Sequence, residues 1–102
     1  PHECSSAASD VYKRQGVNFY LTIDADGMDP TIMPAVNAPT PGGLNWVQIR
    51  ELIHGIVKKG KVIGLDLVEI SPSFEKGNTT LIHAERLICN FIGSAVRAGY
   101  YE

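Results

Sequence analysis

Two apolar runs separated by an amphipathic segment constrain the fold of this chain more than any other feature. Residues 17–23 and 62–70 are rich in β-branched, aromatic and leucine side chains, which is typical of strands. The first run does not alternate strictly between apolar and polar residues, so we expect both of its faces to be covered, as in a parallel sheet. A strand, a helix and a second strand in this order form a right-handed βαβ crossover. The sequence therefore predicts an α/β fold.

Signals for two helices accompany these strands. Asn45 and Gln48 have the spacing of a capping box, and apolar residues recur at helical spacing from there to Val57. Two lysines favour the negative end of this helix, and Gly60 is placed to close it. A second helix is predicted to start near residues 78–80 and to bury one broad apolar face. That face contains Leu81, Ala84, Leu87, Ile88, Phe91, Ile92, Ala95 and Val96.

Size, charge and cysteine content exclude several classes of protein. The 102 residues suffice for one small domain, and 44% apolar residues suffice for a core. A net charge of −2 gives no basic surface for nucleic acid, and no apolar run approaches the roughly 18 residues of a membrane span. Cys4 and Cys89 match neither a zinc site nor a disulfide framework, and Cys89 is expected to be a buried free thiol. We therefore expect a cytoplasmic protein that binds neither nucleic acid nor membranes.

The beginning of the chain differs from the remainder. Residues 1–15 are polar, mixed and without periodicity, and residues 5–15 resemble translated sequencing-adapter sequence. We therefore expect residues 1–15 to be a foreign or disordered tail and assign no function to them. Residues 16–102 are expected to form the folded part.

Acidic side chains follow both predicted strands. Asp24 and Asp26 end the first strand, and open α/β sheets bind their ligands at the carboxyl edge of such strands. Adjacent carboxylates repel each other unless a proton or a cation neutralises them, and hard oxygen ligands suit Mn²⁺ or Mg²⁺. Glu69 ends the second strand, and parallel strands end on the same side of a sheet. The topology therefore predicts that all three carboxylates meet at one edge.

Other roles for these aspartates have to be weighed. A calcium loop of the EF-hand type starting at Asp24 fails on spacing, because Met28 stands at its fifth position and Ala35 at its twelfth. Asp29 precedes Pro30 and is expected to organise a turn through its side chain. Asp24 and its neighbour at position 26 are thus the candidate metal ligands, and Asp29 is interpreted as structural.

The remaining polar residues have less specific interpretations. Glu69 alone could cap a helix or form a salt bridge. Asp66 lies within the second strand on the face opposite to that of Glu69. It is expected to form a structural hydrogen bond or to support a ligand indirectly. His54 and His83 lie on the predicted helices and are interpreted as packing or surface residues. The loop of residues 27–43 is rich in Pro and Gly, and loops of that length are usually functional or disordered.

Two motifs carry a resemblance to a known family. The first consists of TIDADGMDP at residues 22–30 and APTPGGL at residues 38–44, and the second is DLVEISP at residues 66–72. In this order and at a βαβ separation, they resemble the signature of the ureohydrolases, the arginase and agmatinase family. The resemblance covers about residues 16–102 and is closest to agmatinases and guanidinobutyrases.

The resemblance implies a fold, a cofactor and roles for three residues. It implies a three-layer α/β/α fold with a parallel sheet, of which this chain would be the C-terminal βαβα portion. It also implies a centre of two Mn²⁺ ions that hydrolyses a guanidino group to urea and an amine, as in polyamine metabolism. Asp24 would bridge the two metals, Asp26 would chelate one of them, and Glu69 would receive the substrate guanidinium. No residue of this chain is assigned a catalytic role beyond these.

Differences from the family leave alternatives open. The histidine-bearing motifs that complete the metal centre have no counterpart in this sequence, so we expect the chain alone to be inactive. We also expect the full-length enzyme to be a homo-oligomer. The stretch PAVNAP at residues 34–39 departs from the usual pattern, and hydrolysis of formimidoylglutamate or of a guanidino acid is the alternative. A non-catalytic α/β module whose acids only cap loops is the alternative of another class.

Overall fold

A computed structural model describes residues 17–102 and contains two strands and two long helices in the predicted order. The predicted tail of residues 1–15 lies outside the described residues. The elements are β1 (Asn18–Asp24), α1 (Trp46–Lys59), β2 (Lys61–Val68) and α2 (Thr79–Arg97), with short 3-10 turns at Ala25–Gly27 and Pro72–Phe74. None of the helices in residues 17–102 combines the length and apolar character needed to cross a bilayer.

The two strands form a parallel pair, as predicted for a βαβ crossover. Asn18 lies opposite Lys61 at one end of the ladder, and Asp24 lies opposite Val68 at the other. The register shifts once, next to Phe19, where β2 contains an additional residue. The α/β fold class is therefore confirmed, and the strand ends that carry the acidic residues lie side by side.

Within residues 17–102, one face of the sheet is covered by helices and the other is open. Ile23 and Val62 join the core that both helices help to form, whereas Tyr20 is 61% exposed and Ile63 is 64% exposed. Residues 17–102 contain no further long helix that could cover these two side chains. The described part of the chain therefore has one layer of helices on its sheet.

Helix α1 forms as its sequence predicts. Asn45 Oδ1 accepts from the amide of Gln48 at 2.9 Å, and the Asn45 amide donates to Gln48 Oε1 at 3.0 Å, which completes the capping box. Gly60 ends the helix in an extended conformation, and a Cβ there would collide with the Phe19 ring. The close approach to β1, rather than a left-handed turn, therefore explains glycine at this position. The buried stripe consists of Ile49, Ile53, Ile56 and Val57.

Helix α2 buries a narrower face than predicted. Thr80, Leu87 and Ala95 are almost completely buried, at spacings that follow one stripe of the helix. The prediction is wrong for four residues, which are between 40% and 54% exposed because α2 packs on α1 along one side only: Leu81, Ile88, Ile92 and Val96. Cys89 was predicted to be buried but is exposed, because it also lies off this stripe.

The long Pro/Gly loop is ordered and contributes to the core. Met33 and Ala35 are fully buried within it. The Ala35 amide donates to Thr80 Oγ1 at 3.0 Å, and its carbonyl accepts from the Ser71 amide at 2.8 Å, so one residue joins the loop to both α2 and the segment after β2. Gly43 approaches the backbone around Gly27 so closely that a Cβ would lie 2.7 Å from its carbonyl oxygen. The loop thus fixes the chain on both sides of the strand ends.

Candidate functional site

Asp24 is the last residue of β1 and holds the turn that follows the strand. Its Oδ1 accepts from the amide of Asp26 at 2.8 Å, which caps the 3-10 turn of Ala25–Gly27. Its second carboxylate oxygen has no hydrogen bond within residues 17–102, and the side chain is exposed. One oxygen therefore orients the carboxylate while the other is left for a ligand.

One carboxylate oxygen of Asp26 is buried without a hydrogen-bond partner in the described residues. Its Oδ1 is inaccessible to solvent and has no hydrogen bond within the described residues. Leaving a buried polar atom unpaired costs about 1–3 kcal/mol, and more when it belongs to a charged group. A cation or a hydrogen-bond donor at this position would remove that cost. Asp26 therefore has a buried oxygen that no donor of residues 17–102 satisfies.

Glu69 lies at the same edge of the sheet but beyond the strand. It follows Val68, the register partner of Asp24, so its backbone is adjacent to the end of β1. The strand was predicted to continue to residue 70, but it ends at Val68 because Glu69 adopts φ 73°, in the left-handed region. Glu69 is the one residue other than glycine with positive φ in residues 17–102.

The conformation of Glu69 has a cost that its surroundings must offset. A left-handed backbone at a residue with a Cβ costs about 1–3 kcal/mol, and such residues cluster at functional sites. The side chain is exposed and forms no ion pair or hydrogen bond within the described residues. The bond from the Ser71 amide to the Ala35 carbonyl anchors the chain two residues later. Glu69 is therefore held in a strained turn with its carboxylate available for a ligand.

Asp29 organises the loop, as its sequence context predicts. Its Oδ1 accepts from the Thr31 amide at 2.9 Å and from Thr31 Oγ1 at 2.7 Å, and its Oδ2 accepts from the Gly42 amide at 2.9 Å. These hydrogen bonds, that of the Thr31 hydroxyl foremost, lower the pKa of Asp29 below its ordinary value. Both carboxylate oxygens are occupied, so Asp29 is structural.

Tyr20 and Asp66 form a polar pair on the open face of the sheet. The sequence alone had not indicated Tyr20 as a member of such a pair. Asp66 lies opposite Thr22, and Tyr20 is hydrogen-bonded to Asp66. That hydrogen bond to a carboxylate raises the pKa of the Tyr20 hydroxyl. Asp66 Oδ1 is buried without a partner within the described residues. Tyr20 and Asp24 lie an even number of positions apart along β1, so their side chains lie on the same face of the sheet. This alternation was the sequence signal for the position of Tyr20.

The two histidines lie on the helices and contact other parts of the fold. His83 donates from Nδ1 to the Ile32 carbonyl at 2.6 Å, since a carbonyl can only accept, and its ring lies 5.8 Å from that of Trp46. His54 lies on α1 beside α2. Within residues 17–102, no three His, Cys, Asp or Glu side chains are grouped closely enough to hold a metal ion. The carboxylates of Asp24 and Asp26 are the kind of oxygen ligand that a hard divalent ion prefers, but residues 17–102 do not form a complete site by themselves.

The chain is similar in sequence and in fold to several known proteins. A ureohydrolase of Thermus thermophilus, described as acting on N(1)-aminopropylagmatine, is 31% identical over 87 residues, which are 85% of this chain and 28% of that protein. A formimidoylglutamase of Salmonella arizonae is 43% identical over 69 residues, which are 68% of this chain and 22% of that protein. The crystal structure of the agmatine ureohydrolase of Thermoplasma volcanium superimposes with a TM-score of 0.76 and 32% identity, over 91% of this chain and 31% of that one.

The chain therefore spans about a quarter to a third of the length of the proteins it resembles. The model of the arginase family matches residues 2–93, which include both strands, the acidic edge and most of α2. This match over most of the chain shows that the protein belongs to the arginase family.

Proposed function

We propose that this chain is part of an amidinohydrolase with two manganese ions, which hydrolyses a guanidino substrate such as agmatine to urea and an amine. The observation that supports the proposal is that Asp24 and Asp26 stand at the end of β1 while Glu69 follows the end of β2, at the same edge of the parallel pair. Each has at least one carboxylate oxygen without a hydrogen-bond partner in residues 17–102. The names of the relatives, which are ureohydrolases and a formimidoylglutamase, support the same class of C–N hydrolysis.

The proposed role of the two aspartates is to hold the metal ions. Asp24 would be a ligand of the pair, because its carboxylate is oriented by the Asp26 amide and exposes its second oxygen. Asp26 would bind one ion through the oxygen that otherwise lacks a partner. When bound, a pair of divalent ions supplies the Lewis acidity that makes water a nucleophile near neutral pH. The other ligands belong to residues outside the described part of the chain.

The proposed role of Glu69 is to bind the guanidinium group. A guanidinium is planar and permanently charged, so a carboxylate can align it through paired hydrogen bonds. The Glu69 side chain is exposed and has no cationic partner in residues 17–102, and the turn that carries it is fixed by the loop. The charge and the position of Glu69 thus suit orientation of a cationic substrate beside the metals.

The chemistry of the substrate leaves one alternative of the same class. Formimidoylglutamate is also an amidine, and the Salmonella relative shares 43% identity with this chain. A non-catalytic module accounts for the acids less well. Asp29 caps a loop with both its oxygens, as that alternative requires, whereas Asp26 and Glu69 have no comparable partners. A cytoplasmic location and assembly into a homo-oligomer remain part of the proposal.

The test is activity and metal content of the longer protein in which this segment occurs. Purified protein with Mn²⁺ is supplied with agmatine, guanidinobutyrate or formimidoylglutamate, and urea and formamide are measured. We expect urea from one guanidino substrate and its loss in the Asp24→Asn variant. Glu75→Gln is the matched control, because Glu75 is also acidic but its carboxylate already accepts a hydrogen bond from the Thr80 amide. Formamide as the main product would indicate formimidoylglutamate as the substrate. If the protein carried its full complement of metal and yet gave neither product, the proposal would be refuted.

A further inference from the structure

A cavity of about 220 Å³ between the two helices is used by none of the proposed catalytic residues. Its walls are formed by His54 and Lys58 of α1 and by Ser94, Arg97 and Ala98 at the end of α2. Helix α1 ends one residue before β2 begins. The cavity therefore lies towards the edge where the second strand starts, whereas the acidic residues lie where the strands end.

The walls of the cavity are basic and lack acidic side chains. Lys58 and Arg97 contribute two positive charges, and neither forms an ion pair with a carboxylate of residues 17–102. Arg97 folds back along its own helix, and its Nη2 lies 3.5 Å from Ser94 Oγ. Two cations that face one space without a counter-ion repel each other, and an anion between them would relieve this repulsion.

Buried polar atoms in the same walls lack good partners. Ser94 is 6% exposed, and its hydroxyl has only the long contact from Arg97. His54 Nε2 is buried and has no partner within the described residues. Unpaired buried polar groups cost stability, so a ligand or water that hydrogen-bonds here would be favoured. The charges and the polar atoms therefore indicate the same kind of ligand, one with several oxygen acceptors.

The basic residues are not needed to satisfy the helix ends. Lysine and arginine often occur in the last turn of a helix because they interact with its terminal carbonyl groups. Here the Gly60 amide donates to the Ile56 carbonyl, and the Tyr100 hydroxyl donates to the Val57 carbonyl at 3.1 Å. In α2, the Tyr100 amide donates to the Ala95 carbonyl at 3.0 Å. Much of the usual reason for cations at these helix ends is thus already met by other donors.

We propose that this cavity binds a small free oxyanion, a phosphate or a low-molecular-weight carboxylate. Lys58 and Arg97 would supply the charge, and the Ser94 hydroxyl would donate a hydrogen bond. The volume equals about seven water molecules at roughly 30 Å³ each, which accommodates a tetrahedral phosphate or a short dicarboxylate with some retained water. The inference is independent of the proposed hydrolase function, because it uses none of the same residues.

The test is a titration of the 102-residue chain with potassium phosphate, followed by NMR of the backbone amides. Potassium chloride at equal ionic strength is the reference for screening. We expect saturable shifts at His54, Lys58, Ser94 and Arg97 with phosphate and not with chloride. Arg97→Gln should weaken binding about tenfold, the effect of one charge-assisted hydrogen bond. A parallel titration with potassium succinate distinguishes the two sources of oxyanion, and saturation by either supports the site.

Arg86→Gln is the matched control, since Arg86 is exposed on the same helix, carries the same charge and does not line the cavity. It should change the affinity less than twofold. Lys58→Gln provides a second variant if circular dichroism shows that Arg97→Gln has unfolded the chain. Shifts that match those of chloride, or equal weakening by Arg86→Gln and the cavity variants, would overturn the proposal.

Discussion

The amide of Asp26 donates to the Oδ1 of Asp24 across 2.8 Å, so the two candidate metal ligands are joined by a hydrogen bond within one turn. The bond has two consequences. It fixes the orientation of the Asp24 carboxylate before any ligand binds, and it places positive amide character next to a negative group that would otherwise repel its neighbour. The pair is therefore organised by local backbone geometry, while the buried oxygen of Asp26 still lacks a partner.

The first prediction is that the 102-residue chain releases no urea from agmatine when Mn²⁺ is present. Residues 17–102 provide two candidate metal ligands and no group of three, and two carboxylates cannot hold a pair of ions with open positions for water. A colorimetric urea assay at high protein concentration checks this outcome. Urea release above the level of a heat-denatured control, in proportion to the amount of chain, would contradict the assignment of the missing ligands.

The second prediction separates the two aspartates in the longer protein. Asp24→Ala removes the cap of the 3-10 turn as well as a ligand, so it should lose manganese and also about 1 kcal/mol of stability. Asp26→Ala removes an atom that has no hydrogen bond, so it should lose manganese with little loss of stability in the metal-free protein. Elemental analysis and thermal unfolding in the presence of a chelator measure both quantities. Full manganese content in both variants would count against the pair as ligands.

The third prediction concerns the pH dependence that Asp29 contributes. Its pKa is lowered in the folded state by bonds from Thr31 and Gly42, so its contribution is present above the unfolded value of about 3.9 and is lost as the pH falls through the lower folded value. Asn at this position loses the acceptor for the Gly42 amide. Asp29→Asn should therefore unfold at a lower temperature than the parent chain at pH 7.

The difference between the two chains should shrink as the pH falls below about 4 towards the lowered folded pKa of Asp29, because the unfolded chain then binds a proton more readily than the folded chain. Thermal unfolding of the 102-residue chain at several pH values checks this trend. Glu85→Gln on the exposed side of α2 is a suitable control, and it should leave the pH dependence unchanged. A gap between parent and Asp29→Asn that does not narrow at all as the pH falls from 7 through the acidic range would show that the charge of Asp29 is not the cause.

The order of strands and helices and the edge that carries the acids could be predicted from the sequence, because both depend on local signals. The Asn45–Gln48 capping box follows from spacing, and the parallel pairing of β1 and β2 follows from the order strand, helix, strand. The end of β2 could not be predicted, since nothing in the composition of the segment shows that Glu69 leaves the β region.

The width of the buried face of α2 also could not be predicted from periodicity. Apolar residues at helical spacing indicate which side can be buried, but the amount that is buried depends on how many neighbours the helix has. Ile88 and Ile92 remain 40% and 49% exposed because α1 covers only the stripe that contains Leu87. The hydrogen bond between Tyr20 and Asp66 needed the cross-strand register, which a single strand does not reveal.

The last prediction concerns Glu69 in the longer protein. Glu69→Gln keeps the shape of the side chain and loses its charge, so the paired contact with a guanidinium should weaken by about 2–4 kcal/mol in the transition state, roughly a thirtyfold to several-hundredfold fall in kcat/KM. Manganese content should stay the same, because Glu69 is not proposed as a ligand. Glu69→Gly should lose activity to a similar degree but gain thermal stability, since glycine adopts φ 73° without strain. Measuring kcat/KM, manganese content and melting temperature on the same preparations separates a substrate contact from a structural role. If Glu69→Gln keeps near-normal kinetics but melts earlier than the parent, then Glu69 supports the turn and does not bind the substrate.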